Sequence, residues 1–263
     1  MTSGRQLLLL LTVSLFGCAG RQIDRSVPSE TWSLEERDEV RIEVVGALLE
    51  RQRYDLALKA ISELRGDGLD DLRLDLYQAE ALTGQGLYAE SIDLLERLKP
   101  RGGTERLKLL GLAYFGQGNL DGSVKSFTRA VRQSDRAKKP DLLNNLGFAL
   151  ASAGEHEEAI EVYTKALSLD PSLARTRNNM GFSLAALGRD KEAHASFKAA
   201  ADNTGFDGKR AQAEAWYNLG VARRIREDDP GAREAWLGAL DMNPDHAQAR
   251  AALDTLNAAE EKP

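Results

Sequence analysis

The chain repeats itself at a period of 34 residues. Gly147 and Gly181 are 34 positions apart, as are Ala159 and Ala193, Tyr163 and Phe197, and Ala166 and Ala200. The local context repeats with them, since Asn144-Asn145-Leu146-Gly147-Phe148 recurs as Asn178-Asn179-Met180-Gly181-Phe182. Within each period apolar residues fall at helical spacing in two runs, which predicts two antiparallel helices sharing one apolar face. One such unit cannot bury that face alone, so successive units must stack. Gly147, Gly181, Ala159 and Ala193 mark the places where helix axes approach most closely, and a bulky replacement there typically costs ~1–3 kcal/mol. Gly154 and Gly188, near the ends of first helices, predict left-handed C-caps. Composition suits helices more than strands: Ala and Leu are abundant, aromatics make up 6%, and the 7 prolines fall between the periodic runs.

The period and its fixed residues resemble the tetratricopeptide repeat, whose pattern runs W-x₂-L-G-x₂-Y, then A-x₃-F, then A, then P. Segment 140–173 carries Leu143, Leu146, Gly147, Leu150, Ala159, Tyr163, Ala166 and Pro171 at those places. Segment 174–207 carries Met180, Gly181, Leu184, Ala193, Phe197 and Ala200, and segment 213–246 carries Trp216, Leu219, Gly220, Ala232, Trp236, Ala239 and Pro244. Segment 104–137 has Leu107, Leu110, Gly111, Tyr114, Phe127 and Ala130, with Ser123 in place of the small alanine. Weaker units occupy about 72–103 (Tyr88, Ser91, Leu95, Leu98) and about 38–71 (Tyr54, Ala57, Ile61, Leu64). The resemblance implies an all-α, right-handed superhelical solenoid of about six helix pairs, closed by a capping helix and tail over 247–263. The spacing of the repeat glycines, 39 from Gly181 to Gly220, predicts a lengthened loop around Asp202–Arg210, and Lys138 and Lys139 extend the turn before Pro140.

The N-terminus follows different rules. Arg5 and the terminal amine form a weak positive region, and Leu7–Phe16 is apolar apart from Thr12 and Ser14. Ten residues of helix reach only ~15 Å, half a bilayer core, so the segment reads as a signal sequence over 1–17 rather than a membrane span. It ends in Leu15-Phe16-Gly17-Cys18, which resembles the bacterial lipobox. The resemblance implies acylation of Cys18, the single cysteine of the chain. With Ala19 after it, the expectation is an outer-membrane anchor facing the periplasm in a diderm source. An incidental cysteine after an ordinary signal peptide is the alternative. Residues 18–37 are polar, carry Pro28 and show no apolar period, as expected of a tether. Ser33-Leu34-Glu35-Glu36 fits a capping box and starts the first helix near Leu34.

In tetratricopeptide arrays the first helix of each pair lines the concave face. Carried over by position, the lining includes Leu112, Phe115, Asp141, Asn144, Asn145, Phe148, Arg175, Asn178, Asn179, Phe182, Tyr217, Asn218, Val221 and Arg224. Asn145, Asn179 and Asn218 share one repeat position and resemble the asparagine ladder with which some family members hold an extended peptide. An amide both donates and accepts, so it suits a peptide backbone of any sequence. Phe148, Phe182 and Val221 would form an apolar floor, rigid aromatics being common interface anchors. The same residues have a structural alternative, in which the asparagines bridge neighbouring helices and the phenylalanines belong to the core.

Signals for chemistry fail. His156, His194 and His246 belong to different repeats without partners at metal spacing, and Ile160 stands where a zinc helix after His156-Glu157 needs its second histidine. They read as solvated or capping histidines. No phosphate-cradling glycine loop appears, and no nucleophile stands beside a base. A net charge of -6 with both signs interspersed shows no basic stripe for nucleic acid. The expectation is a non-enzymatic protein-binding scaffold without cofactor or metal. Its anchor, six repeats and Asn-Asn-Met-Gly run at Asn178–Gly181 resemble the pilotins of type IV pilus secretins, which implies secretin subunits as partners and promotion of their assembly. The alternative in the same class is an adaptor for peptidoglycan hydrolases or other envelope machinery.

Overall fold

A computed structural model describes residues 33–98, 101–202 and 208–260. The signal sequence, Cys18 and the tether up to Trp32 lie outside the described residues. The described residues form 13 helices and no strand: α1 (Leu34–Glu50), α2 (Tyr54–Gly66), α3 (Leu72–Gly84), α4 (Tyr88–Arg97), α5 (Gly103–Gly116), α6 (Leu120–Gln133), α7 (Lys139–Ser152), α8 (His156–Leu169), α9 (Ala174–Ala186), α10 (Asp190–Asp202), α11 (Gly208–Ile225), α12 (Asp229–Met242) and α13 (Ala247–Glu260). None of them is long and apolar enough to cross a membrane. The chain divides into two compact units, residues up to Arg41 and residues from Ile42 onward. In the first, Ser33 N donates to Glu36 Oε2 at 2.8 Å and Glu36 N to Ser33 Oγ at 3.2 Å, the reciprocal capping box that starts α1.

The second unit is a helical-repeat solenoid. From α2 onward each helix packs on the next in sequence, and α3 with α5, α7 with α9 and α9 with α11 also touch, so first helices line up beside first helices. Two repeat positions explain how close the pairs can come. Ala57, Ser91, Ser123, Ala159, Ala193 and Ala232 occupy one position on the second helices, and every one is 0% exposed. Where the residue is serine, its hydroxyl is satisfied across the pair, Ser91 Oγ donating to the Ala79 carbonyl and Ser123 Oγ to that of Gly111. The other position is the glycine of the first helix. A Cβ added to Gly111, Gly147, Gly181 or Gly220 would meet the ring of Phe127, Tyr163, Phe197 or Trp236 at 2.4–2.7 Å, so the ring of the second helix rests directly on bare backbone.

The turn between paired helices is equally regular. Gly86, Gly118, Gly154 and Gly188 hold φ between 75° and 85°. In the turn after α7, Gly154 N donates to Ala151 O and Glu155 N to Leu150 O, which satisfies carbonyls left open by the helix end. Gln52 and Glu227 fill the equivalent turns with φ of 56° and 61°, a conformation that costs a side-chain-bearing residue roughly 1 kcal/mol.

The connection after α10 differs from the loop expected there. Gly208, Lys209 and Arg210 already belong to α11, which runs 18 residues where α9 runs 13. The reason is local: Ala211 and Ala213 are fully buried, and the segment between Lys209 and Ala215 consists of strong helix formers. Residues 203–207 lie outside the described set. The chain closes with α13, whose Ala249, Leu253 and Leu256 cover Ala232, Trp236 and Ala239 of α12.

Candidate protein-binding groove

The asparagines of the first helices bond to each other. Asn179 Nδ2 on α9 donates to Asn144 Oδ1 on α7 at 3.2 Å, and Asn218 Nδ2 on α11 donates to Asn178 Oδ1 on α9 at 3.1 Å. The rule is the same at both steps: the amide at the shared ladder position donates back to the residue one place earlier in the preceding repeat. Asn144 also accepts from Thr176 Oγ1 at 3.0 Å and donates to Asn145 Oδ1 at 3.4 Å, and it is only 3% exposed. These amides therefore do structural work in stitching neighbouring repeats, while Asn145, Asn178, Asn179 and Asn218 stay half-buried along the groove edge. A cavity of about 290 Å³ opens beside them, lined by Arg175, Asn178, Phe197, Glu214 and Asn218 among others.

The aromatic floor divides into residues of different exposure. Phe148 is 45% exposed and its ring lies 5.1 Å from that of Phe115. Phe182 is half-buried and meets Phe197 edge-on at 4.9 Å, so it serves the core and the surface at once. Tyr217 and Val221 pack against the cluster around Trp236 and α13, and Tyr217 lies 5.1 Å from the His246 ring. The exposed cations are paired, Arg175 with Asp141 at 3.8 Å and Arg224 with Asp229 at 3.0 Å. Leu112 continues the floor toward the N-terminal half, and at the equivalent place in the preceding repeat stands Glu80. Burial pushes the Glu80 carboxyl above its usual range against the pull of Lys108, with Glu105 and Glu50 adding to the rise.

Between α7, α9 and α11 lies a second cavity of about 440 Å³, bounded by Phe148, Phe182 and Ile225. Sequence reasoning passed over Ile225, which is 71% exposed, and Ser183, and it named His156 and Tyr163 without placing them in this lining. Tyr163 carries the aromatic mark of the repeat, and that role hid its hydroxyl. At the edge of the cavity, Asp190 on α10 accepts from Arg223 Nε of α11 and from Nη1 of Arg226 in the turn after it, both at 2.8 Å. Burial works to raise the Asp190 carboxyl, but these guanidinium bonds and charges outweigh it and hold the group below the usual carboxylate range.

The histidines differ in role. His246 caps α13, accepting from Ala249 N at 3.2 Å, and its Nε2 lies 3.3 Å from Glu214 Oε1. His194 is not solvated as a surface residue would be; its half-buried ring lies 4.4 Å from that of Trp216, tilted by 53°. Among the described residues no group of three His, Cys, Asp or Glu side chains could hold a metal ion.

An all-α array of stacked helix pairs with a lined groove is the class this geometry defines. The family model for the tetratricopeptide repeat matches residues 47–105 and 108–174, so the chain carries tetratricopeptide repeats there. It is 29% identical over 202 residues, 77% of this chain, to the cellulose synthase 2 operon protein C of Komagataeibacter xylinus. The chain spans 11% to 14% of the length of the curated relatives it matches. Among solved structures it is similar to PilF of Pseudomonas aeruginosa, with a TM-score of 0.62 at 14% identity, covering 84% of this chain and 98% of that one. It is also similar to YrrB, described as a tetratricopeptide-repeat protein with an unusual peptide-binding site, with a TM-score of 0.51 at 22% identity over 73% of this chain and 96% of that one. At these identities the likeness establishes the fold alone.

Proposed function

We propose that this chain is a protein-binding scaffold tethered by acyl chains on Cys18 to the periplasmic face of an outer membrane. The observation that carries the binding role is Phe148, a large aromatic left 45% exposed against Phe115 on the wall of a groove between first helices. An apolar ring held in water at the lip of a concave surface is the usual anchor for a partner side chain. The anchoring role rests on the lipobox-like run ending at Cys18.

Within this class the reading is pilotin-like: the scaffold brings secretin subunits of a type IV pilus to the membrane and promotes their assembly. It rests on the Asn178–Gly181 run, the six-repeat length and the anchor taken together. The second reading, an adaptor for peptidoglycan hydrolases or other envelope machinery, is favoured by the long match to a protein of a cellulose synthase operon. One experiment separates them. The protein is crosslinked in intact cells, purified from outer-membrane extracts, and its companions are identified by mass spectrometry. A secretin, with secretin multimers lost on deletion of the gene, is the expected result. Envelope enzymes with multimers intact would replace it with the adaptor. Phe148→Asp should lower recovery of either partner at least tenfold without changing the circular dichroism of the protein, and Cys18→Ser should move it from the membrane to the soluble fraction.

A further inference from the structure

The two signs of charge are interspersed along the sequence, but the fold sorts them. Residues 101–141 hold nine Lys or Arg against four Asp or Glu, in a chain whose net charge is -6. Ser123 of α6 bonds to Gly111 of α5 and the charge of Arg129 reaches Arg106, so the helices run antiparallel and the start of α5 lies beside the end of α6, from which α7 sets out. This edge gathers Arg101, Arg129, Arg132, Arg136, Lys138 and Lys139, all of them exposed except the half-buried Lys139. None of the six side chains has an ion-pair or hydrogen-bond partner among the described residues. Most other cations of the array are paired, as Arg65 is with Asp75, Arg189 with Glu192 and Lys198 with Asp202. The four carboxylates of the stretch are engaged: Glu105 with Lys108, Asp121 with Lys125, Asp141 with Arg175, and Asp135 by the Lys138 amide at 3.0 Å. Arg106, beside Arg129, is 4% exposed and donates from Nη1 to the Leu95 carbonyl at 3.3 Å. Burial, and after it the charge of Arg129, lowers the Arg106 guanidinium from its ordinary value. Like charges gathered this way repel, and an anionic surface laid over the edge would relieve them.

We propose that this edge is a docking surface for anionic phospholipid headgroups, which lays the repeat array on the membrane to which Cys18 tethers it. The proposal rests on the anchoring reading above. The tether is what selects lipid over an acidic protein: the fifteen residues from Cys18 to Ser33 reach at most ~50 Å when fully extended, so the array stays in the neighbourhood of the surface. The form of the edge agrees with this. None of the six side chains lines either cavity described above, and long cationic side chains at helix ends and in a turn suit a fluid sheet of phosphates better than one carboxylate in fixed geometry. Each basic side chain near such a surface strengthens binding roughly fivefold. Exposed charges are screened by salt, so the edge orients a chain that is already anchored and does not replace the anchor.

The test uses the full chain with Cys18→Ser, which removes the acyl chains, sedimented with vesicles of phosphatidylcholine alone or with one third phosphatidylglycerol. Every variant keeps the same leader, so any affinity of Leu7–Phe16 for lipid cancels between them. The expected result is about tenfold tighter binding to the anionic vesicles at low salt, lost at high salt. Arg129→Glu, Arg132→Glu and Lys138→Glu together should remove the preference with circular dichroism unchanged. Should the glutamates disturb the fold, Arg132→Gln with Lys138→Gln should still lower the preference several-fold. Arg51→Glu, Lys59→Glu and Lys191→Glu together change the net charge equally at exposed cations elsewhere, unpaired among the described residues, and should leave the preference nearly intact. Equal binding to the two vesicles, or an equal loss in both triple variants, would overturn the proposal. If the vesicles bind equally while the first triple variant lowers partner recovery from cells, the edge docks an acidic protein and the lipid surface falls. The anchoring reading fails separately. If the parent chain carries no acyl group yet the preference for anionic vesicles is found, the lipid surface stands and the acyl anchor falls.

Discussion

Glu227 turns the chain between α11 and α12 in a left-handed conformation that four equivalent turns give to glycine. Its Cβ crowds the following carbonyl there, and a glycine would not. Glu227→Gly is expected to raise stability by about 0.5–1 kcal/mol, the relief of strain less the entropy glycine adds to the unfolded chain. Urea denaturation reads it directly, and a lowered midpoint would show that the carboxylate is contributing something the turn geometry does not reveal. Gly181→Ala should behave oppositely. The added methyl would stand 2.6 Å from the Phe197 ring, which is fully buried and cannot swing away, so a loss of about 2 kcal/mol is expected. The contrast isolates two reasons for glycine in one repeat: backbone sign in the turn, lateral room in the helix.

At the scale of the element, what joins one helix pair to the next is polar as well as apolar. Asn144 is the most enclosed member, accepting from Thr176 and Asn179 of α9, whereas Asn178 accepts from Asn218 at a half-open site. Asn144→Ala should therefore cost about 2–3 kcal/mol, because Thr176 is left buried with its hydroxyl unpaired, and Asn178→Ala about 1 kcal/mol, because water can replace it. Equal costs would mean the stitch is not where the stability lies. The repeat itself was legible in the sequence, since glycine, alanine and aromatic positions 34 apart are dictated by how closely two helices can approach. The ladder was legible as a pattern, but its partners were not. Which amide meets which depends on the offset between stacked pairs, and this fixes Asn179 opposite Asn144 rather than Asn145. The helical start of α11 was missed because the count of extra residues does not say whether they coil. The cavity between α7, α9 and α11 was missed because its polar atoms sit on residues already explained by packing. The α10–α11 junction adds a titrating group. Burial against Trp216, with Lys198 nearby, holds His194 below its ordinary value of 6.5. The unfolded chain then takes up a proton at His194 before the folded one does, so stability is full above about pH 6.5 and falls as the pH drops toward the lowered folded value. The fall between pH 7.5 and 5.5 in the urea midpoint should be smaller in His194→Gln than in the parent; an identical fall in both would remove His194 as its source.

For the molecule as a whole, the arrangement is close to one-dimensional: each pair is held by its neighbours, so stability is a sum of local interfaces rather than a single core. The end of the array is then the informative place to cut. α13 covers Trp236 and Ala239 with Ala249, Leu253 and Leu256, and burial of two leucines and an alanine contributes about 5 kcal/mol. Removing residues 247–263 exposes that face without touching any contact made by α2 to α6. Hydrogen exchange should rise by two or more orders of magnitude in α11 and α12, where Tyr217, Val221 and Trp236 lose their cover, and stay unchanged in α2 to α6. The same truncation should leave the cavity beside Phe148 half-dismantled, since Ile225 and Ala222 at the end of α11 form its far wall. Partner recovery would then fall together with the protection of α11, while Phe148→Asp lowers recovery with protection intact. Uniform loss of protection along the chain would mean that the pairs unfold as one cooperative unit, and the groove could not be altered at one end without altering it everywhere.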